Sequence, residues 1–528
     1  MKEFNLLREK WILVMTLNGK TEALSLIEIF RRASELRALA GELPTQDIAV
    51  LRLLLAILHA ALGGRDIDGN ELPDNEDDKI DGAFALWGAL WDRGAFPCER
   101  IERYLEKYEE RFWLFHDETP FYQAKVVDMI DEVFGPFPVS KLIGELAESE
   151  NKPRLFPPRS GDGKVSITYA EAARWLIYFV AYAESFGKLE QHGKKHGDPG
   201  TAGTGWLGKF GQIYATGDNF FETLVLNFVL LDNGSPWNEE KPAWLEQRTR
   251  EHRSIRTPDN LSELYTLQSR LVLLKQQNGH VVSYRFVSGD FCSPVNAFVE
   301  PMAAWYHSNK DKKNAPPEYS PRRHHASRQL WRDYSALIAP IDGARRPGVI
   351  SWLAYLKDQG TLDKAVISFG TTGIKYGSMQ AAVTDTFADS LTFNMALLVR
   401  LDGGQEGWGY RIIDELEVTE KWAYAVGELA AKIAKASGGD GAGERDSARE
   451  QAYFRLDMPF RRWLESIDPK QDDMDNKSYE WRETAQRIVR RLGEELFSAA
   501  GMKAFVGRGE NSSPRAYGYF LAATSLRI

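Results

Sequence analysis

The chain has 528 residues, 43% hydrophobic and 27% charged, with a formal net charge of -9; that length exceeds what one compact core usually organises and sets the expectation of two or more domains. Only Cys98 and Cys292 occur, too few for a disulfide framework or a cysteine zinc site, which points to a reducing cytosol. The acidic total argues against a generic nucleic-acid coat, because neutralising phosphates requires an excess of Lys and Arg.

The N-terminal Met-Lys-Glu-Phe-Asn opens with charge and lacks the apolar run of a signal peptide. The most apolar run, Trp175 to Ala183 between Arg174 and Glu184, is about half the length a membrane span requires. A cytoplasmic protein with no membrane contact is the expectation. Cations are nevertheless clustered, with a net +3 from Lys241 to Arg256 and +5 from Lys310 to Arg332. Taken alone, each patch reads as a solvated face.

In chain order, Trp11 to Leu17 alternates as a strand, Asn18-Gly19 supplies a turn, and a helix runs through Leu26 to Phe30. Thr45 is positioned to cap a strongly apolar helix (Ile48, Leu51, Leu54, Leu55, Leu58) that stops at Gly63-Gly64. An acidic loop at Pro73 to Asp78 precedes helices carrying Trp87, Trp91, Tyr104 and Tyr108. Thr168 and Glu171 form a T-x-x-E capping box at the head of a helix reaching Gly187. Eight glycines then fall between Gly193 and Gly217, and a long glycine-rich loop inside a compact domain is usually functional or mobile. Short strand-like runs at 281 to 287 and 365 to 370 alternate with loops rich in Pro, Lys and Arg. Beyond Gly403-Gly404 the pattern is helical in four stretches, Ile412 to Ala436, Arg445 to Ile467, Tyr479 to Phe497 and Arg515 to Leu526, which suggests a bundle. Ser437 to Gly443 (SGGDGAG) reads as a flexible loop between the first two. The fold class expected is α+β: a mixed α/β domain over 1–404 and a C-terminal four-helix bundle over 405–528.

The enzyme reading rests on Gly203-Thr-Gly-Trp-Leu-Gly208-Lys209-Phe210, which fits G-x-x-x-x-G-K but puts Phe where a nucleotide-binding loop needs a magnesium-binding Ser or Thr. It remains the alternative: a nucleotide-dependent enzyme using residues 203–210. His192 and His196 have H-x-x-x-H spacing, but Gly193 and Gly197 argue against a helix there. His324-His325, beside Arg322 and Arg323, reads as an exposed basic loop. No metal site and no cofactor is expected. Glycines also let a backbone approach a nucleic-acid groove closely, with N–H groups free to donate to phosphates or base edges, a use that Gly200 to Gly211 fits.

The ordered set of segments resembles a known family. Asn5-Leu-Leu-Arg-Glu-Lys-Trp11-Ile, His116-Asp-Glu-Thr-Pro-Phe121-Tyr-Gln123, the glycine-rich loop leading into Phe221-Glu-Thr-Leu-Val-Leu-Asn227, Pro242-Ala-Trp244, Leu264-Tyr-Thr-Leu-Gln268-Ser-Arg270, Pro301-Met-Ala-Ala-Trp305 and Gln380-Ala381 resemble CasA proteins, the large subunits of the type I-E CRISPR surveillance complex, Cascade. The resemblance implies an N-terminal domain of family-specific fold, a C-terminal helical bundle and no catalytic centre. It implies a subunit that recognises the protospacer-adjacent motif in target double-stranded DNA and helps open the duplex for the guide, base pairing supplying the long specificity. The implied partners are target DNA, the CRISPR RNA, the other Cascade subunits and a helicase-nuclease that the subunit recruits. A groove-entering glycine loop would use Gly200, Gly203 and Gly205, and a wedge would use Gln380 and Ala381. A loop near the guide's 5' end would fall between Phe156 and Lys164. Basic DNA contacts would come from Arg248, Arg250, Arg253, Arg322 and Arg323. Two positions depart from the family pattern: Asp290 precedes Phe291 where relatives place a groove-reading lysine, and Met379 replaces the Asn that often precedes the wedge. Either a different motif preference is expected from these departures, or Arg285 supplies the missing charge.

Overall fold

The computed structural model describes residues 2–125, 134–146, 157–185, 203–246, 253–254, 257–309, 315–324, 328–338, 344–380, 382–399, 407–508 and 512–526. The chain divides into two compact units, one made of Met1–Arg328, Asp342–Asp363 and Ser368–Ser390, the other of Gln329–Ile341, Lys364–Ile367 and Leu391–Ile528. By contact, the helical unit therefore takes in two internal segments and about a dozen residues ahead of the 404/405 boundary read from composition.

The first unit is mixed α and β. Its opening is the expected hairpin, with Ile12–Thr16 paired antiparallel to Thr21–Leu24, and a third strand, Leu36–Leu39, on the other side. The apolar helix spans Pro44–Leu62. Its N-cap is Leu43 and Pro44 takes the first helical position, where a missing N–H costs nothing; Thr45, expected as the cap, lies one residue inside it. By length and composition this helix could cross a membrane, but it is buried on nearly every face within the unit, as core helices are. Beside it runs the helix Tyr169–Tyr182, which begins at the expected capping box, Thr168 Oγ1 accepting from Glu171 N. Arg174 is buried on that helix because Glu42 takes its guanidinium and Trp11 O accepts from Nη1 at 2.7 Å, pairing being what makes a buried charge tolerable.

Two small sheets frame the candidate site. In one, Gln212–Thr216 pairs with Val366–Tyr376, which pairs in turn with Val383–Asn394. In the other, Arg270–Gln277 and His280–Ser288 form an antiparallel ladder edged by Phe134–Pro138.

The helical unit is a four-helix bundle of Trp408–Ser437, Ala442–Glu465, Met474–Ser498 and Ser513–Ala523. Its core is aromatic: Trp481 meets Phe460 edge-on at 5.0 Å between ring centroids and Trp463 at 5.5 Å, and its Nε1 donates to Thr419 Oγ1 at 2.9 Å. Trp331, from the internal segment, stacks on Phe460 at 4.6 Å and donates to Asp457. The SGGDGAG stretch is not a slack loop. Gly438 ends the first helix in the left-handed conformation (φ 98°), and Gly441 (φ 78°) starts the next so close to Ala431 that a Cβ would lie 2.6 Å from its carbonyl oxygen; such φ values are comfortable only for glycine.

Candidate nucleic-acid interface

The helix Tyr169–Tyr182 delivers the chain to Ala183, Glu184 and Ser185, and the chain returns through Gly203 to Gly205. Exit and return are bonded together, Gly205 N donating to Ala183 O at 2.8 Å. The two glycines differ in kind. At Gly205 a Cβ would sit 2.4 Å from Ala181 O and 2.8 Å from Tyr182 N, so glycine is demanded by the close approach of two backbones. At Gly203 a Cβ would meet nothing within 4 Å among the described residues, so their packing places no demand on it. Gly200 lies outside the described residues.

Residues Trp206–Lys209 form one 3-10 turn and lead into the strand Gln212–Thr216. A phosphate-binding loop instead opens an α-helix and leaves its lysine free for the nucleotide. Here Lys209 is largely buried, its Nζ donating to Cys292 O at 3.2 Å and lying over the rings of Trp206 and Phe291, and burial holds its pKa below the usual lysine range. Gly208 is occupied by packing, a Cβ there falling 2.2 Å from Tyr376 Oη. The 203–210 segment is thus committed to the fold, and nucleotide binding has no support in its geometry.

Arg322 and Arg323 follow the strand Tyr319–Pro321, which pairs with Trp305–His307. Bonds dock them on the chain four to six residues past Gly205: Arg322 N donates to Ala304 O, Gly211 N donates to Arg322 O, and the side-chain Nε of Arg323 donates to Lys209 O at 3.2 Å. Their neighbour His324 is buried beside Gly211 rather than exposed as expected; His325 lies outside the described residues, as do His192 and His196. Among the described residues no cluster of His, Cys, Asp and Glu is arranged to hold a metal ion.

Gln380 stands at the tip of the hairpin formed by Val366–Tyr376 and Val383–Asn394. Gly377 N donates to Ala382 O at 2.8 Å and closes the turn, while Gln380 adopts φ 57°, a conformation uncommon for a residue with a Cβ. This turn is joined to the glycine segment: Ser185 N donates to Gln380 O at 2.9 Å, Val383 N to Glu184 Oε1 at 2.9 Å, and Tyr376 Oη to Tyr182 O at 2.7 Å. Ala381 lies outside the described residues, as does the side chain of Met379.

The structure thus brings together Gly203, Gly205, Arg322, Arg323 and Gln380. Of the remaining expectations, Lys164 sits half-buried in the single turn Asp162–Val165, while Phe156, Arg248 and Arg250 fall outside the described residues. Arg253 is described by its main chain alone, in a two-residue parallel pairing with Asp290–Phe291. Asp290, expected to stand in place of a groove-reading lysine, is buried. Lys209 and Arg270 lie near Phe291, with Arg270 Cζ 5.8 Å from the ring centroid.

Arg270, which the spacing of residues gave no reason to single out, is fully buried. Its Nη1 donates to Ser269 O at 2.8 Å and its Nη2 to both Glu184 O at 2.8 Å and Gly203 O at 2.6 Å. Burial pushes its pKa down to about 10, which leaves it charged at neutral pH. Burial also raises the Glu184 carboxyl, a shift opposed by the Val383 N–H and by Lys141.

The chain thus joins an α+β unit, in which turns and cations are held by main-chain bonds, to a four-helix bundle. The model of the family "CRISPR-associated protein Cse1" matches residues 5–492, and the chain belongs to that family, also called CasA. It is 30% identical over 464 residues to the CRISPR-associated protein CasA/Cse1 of Thermus thermophilus, covering 86% of this chain and 82% of that one. The crystal structure of Thermobifida fusca Cse1 is similar at TM-score 0.82 and 32% identity, covering 99% of this chain and 98% of that one. A chain of a CRISPR RNA-guided surveillance complex shares the fold at TM-score 0.63 and 17% identity, over 94% of this chain and 100% of that one.

Proposed function

We propose that this chain is the large subunit of a CRISPR RNA-guided surveillance complex, Cascade, and works there by binding rather than by catalysis. Within it, residues 1–404 recognise the protospacer-adjacent motif in target double-stranded DNA and help open the duplex beside it. The observation that carries this reading is the junction of three segments far apart in sequence: the glycine return at 203–205, the cations Arg322 and Arg323, and the Gln380 tip. A groove-entering main chain, phosphate-neutralising cations and an insertable side chain are the elements that motif reading and strand opening require.

In this reading Gly200 and Gly203 approach the minor groove, and Gly205 holds the return against the helix behind it. Gln380 and Ala381 insert at the first base pair, where unstacking costs a few kcal/mol that an inserted side chain offsets. The Gln380 amide can bond a base edge left without its partner. Arg248, Arg250 and Arg253 add phosphate contacts, and 156–164 lies near the guide RNA. The other Cascade subunits and a recruited helicase-nuclease complete the set of partners. The test is the double variant Gln380→Ala, Ala381→Asp in the assembled complex. It should bind motif-bearing duplex weakly, fail to form the RNA–DNA hybrid on intact duplex, and recover on a target with a pre-opened bubble beside the motif. Full activity on intact duplex, or failure on the bubble with the fold intact, contradicts the wedge.

A further inference from the structure

Glu184 is bonded in two directions at once. Its main-chain oxygen accepts from the buried Arg270 guanidinium, which with the same nitrogen also holds Gly203 O. Its carboxylate accepts from Val383 N, at the foot of the Gln380 turn. Arg270 thus pins the chain on either side of residues 186–202, at Glu184 before and Gly203 after, and Glu184 passes that anchorage to the hairpin tip. The neighbouring bonds run the same way, Ser185 N to Gln380 O and Tyr376 Oη to Tyr182 O. Arg270 Nε finds no partner among the described residues. A guanidinium desolvated to hold main-chain carbonyls gives up hydration that a surface position would keep, so the arrangement points to a need for fixed geometry.

We propose that Arg270 and Glu184 are positioning residues that couple the glycine return to the Gln380 turn, so that engagement of the motif and insertion of the wedge are one event. The proposal rests on the motif-reading function above and adds the coupling to it. In mechanical terms, a shift of the glycine return on seating in a groove is carried by Gly203 O to Arg270, by Arg270 to Glu184, and by the Glu184 carboxylate to the turn. Neither residue needs to touch DNA.

Glu184→Ala separates the two functions, because it leaves the main-chain bond to Arg270 and removes the bond to Val383. In the assembled complex it should keep motif-dependent binding to duplex within about twofold, while hybrid formation on intact duplex slows by about tenfold, the loss expected of one charge-assisted hydrogen bond. A pre-opened bubble beside the motif should restore the rate. Glu184→Gln, whose amide oxygen can still accept from Val383 N, should behave as wild type. Arg270→Met, if it folds by thermal melt, should lose motif discrimination and opening together. A well-folded Glu184→Ala chain that opens intact duplex at the wild-type rate overturns the coupling alone. A wild-type complex indifferent to the motif overturns the motif-reading function, and the coupling with it.

Discussion

In the bundle, Trp481, Trp463 and Phe460 meet ring against ring and the buried Glu415 carboxylate is paired with Arg482 at 2.7 Å. The helices there are held through side chains. The junction of the glycine return with the Gln380 turn is held instead through the main chain, by Gly205 N to Ala183 O, Ser185 N to Gln380 O and Arg270 to two carbonyls. A region of the first kind is weakened by taking atoms away, and one of the second kind by adding a single Cβ where two backbones touch.

The sharpest way to break that contrast is Gly205→Val. With a Cβ 2.4 Å from Ala181 O and main chain that cannot step aside, the loss should reach or exceed about 3 kcal/mol, the upper end for overpacking. Soluble yield and thermal melting check it, and a wild-type melt would show the return to be looser than its bonds indicate. Next in size is Trp481→Ala, which empties the centre of the bundle and should lower stability by about 3–5 kcal/mol in denaturant unfolding. A loss under about 1 kcal/mol would mean that the rings are not what holds the helices.

A more gradual effect comes from charge. The bundle pairs Glu415, whereas the first unit holds Asp47 half-buried against the Gly41 N–H, and desolvation there pushes its pKa up to about 7. The unfolded carboxyl titrates near 3.9, so between those values the folded chain holds the proton more tightly, and stability falls as pH rises from about 4 to about 7. Asp47→Asn keeps the oxygen that accepts from Gly41. Its stability should therefore match wild type near pH 4 and exceed it increasingly up to pH 7, with a slope below about 1.4 kcal/mol per pH unit that the melting temperatures follow. Parallel melting curves for the two across that range would contradict the burial of this charge.

The same contrast explains what could be read in advance. The bundle helices, the Ile12–Leu24 hairpin and the Thr168 capping box announce themselves through apolar period and cap chemistry, which are local. The glycine return and the Gln380 tip drew notice through composition and resemblance, but their union depends on bonds between residues up to 199 positions apart, which no periodicity encodes. Arg270 and Glu184 escaped for that reason. His324, expected in an exposed basic loop, is buried because Gly211 lets its ring pack close, and Lys209, read as the lysine of a nucleotide-binding loop, is instead bonded to Cys292 O. The Ser437 to Gly443 link looked slack because glycine composition is the same for a flexible loop and for a tight left-handed turn.

Gly203 separates stability from motif reading, since among the described residues a Cβ there meets nothing within 4 Å. Gly203→Val should change stability by no more than about 0.5 kcal/mol. The decisive measurement is the affinity of the assembled complex carrying this variant for duplexes with and without the motif, taken at one salt concentration. The expected result is a chain that melts as wild type does and a complex that no longer prefers the motif, because the added side chain keeps the main chain out of the groove. A variant that melts as wild type and still discriminates fully between the two duplexes would contradict it.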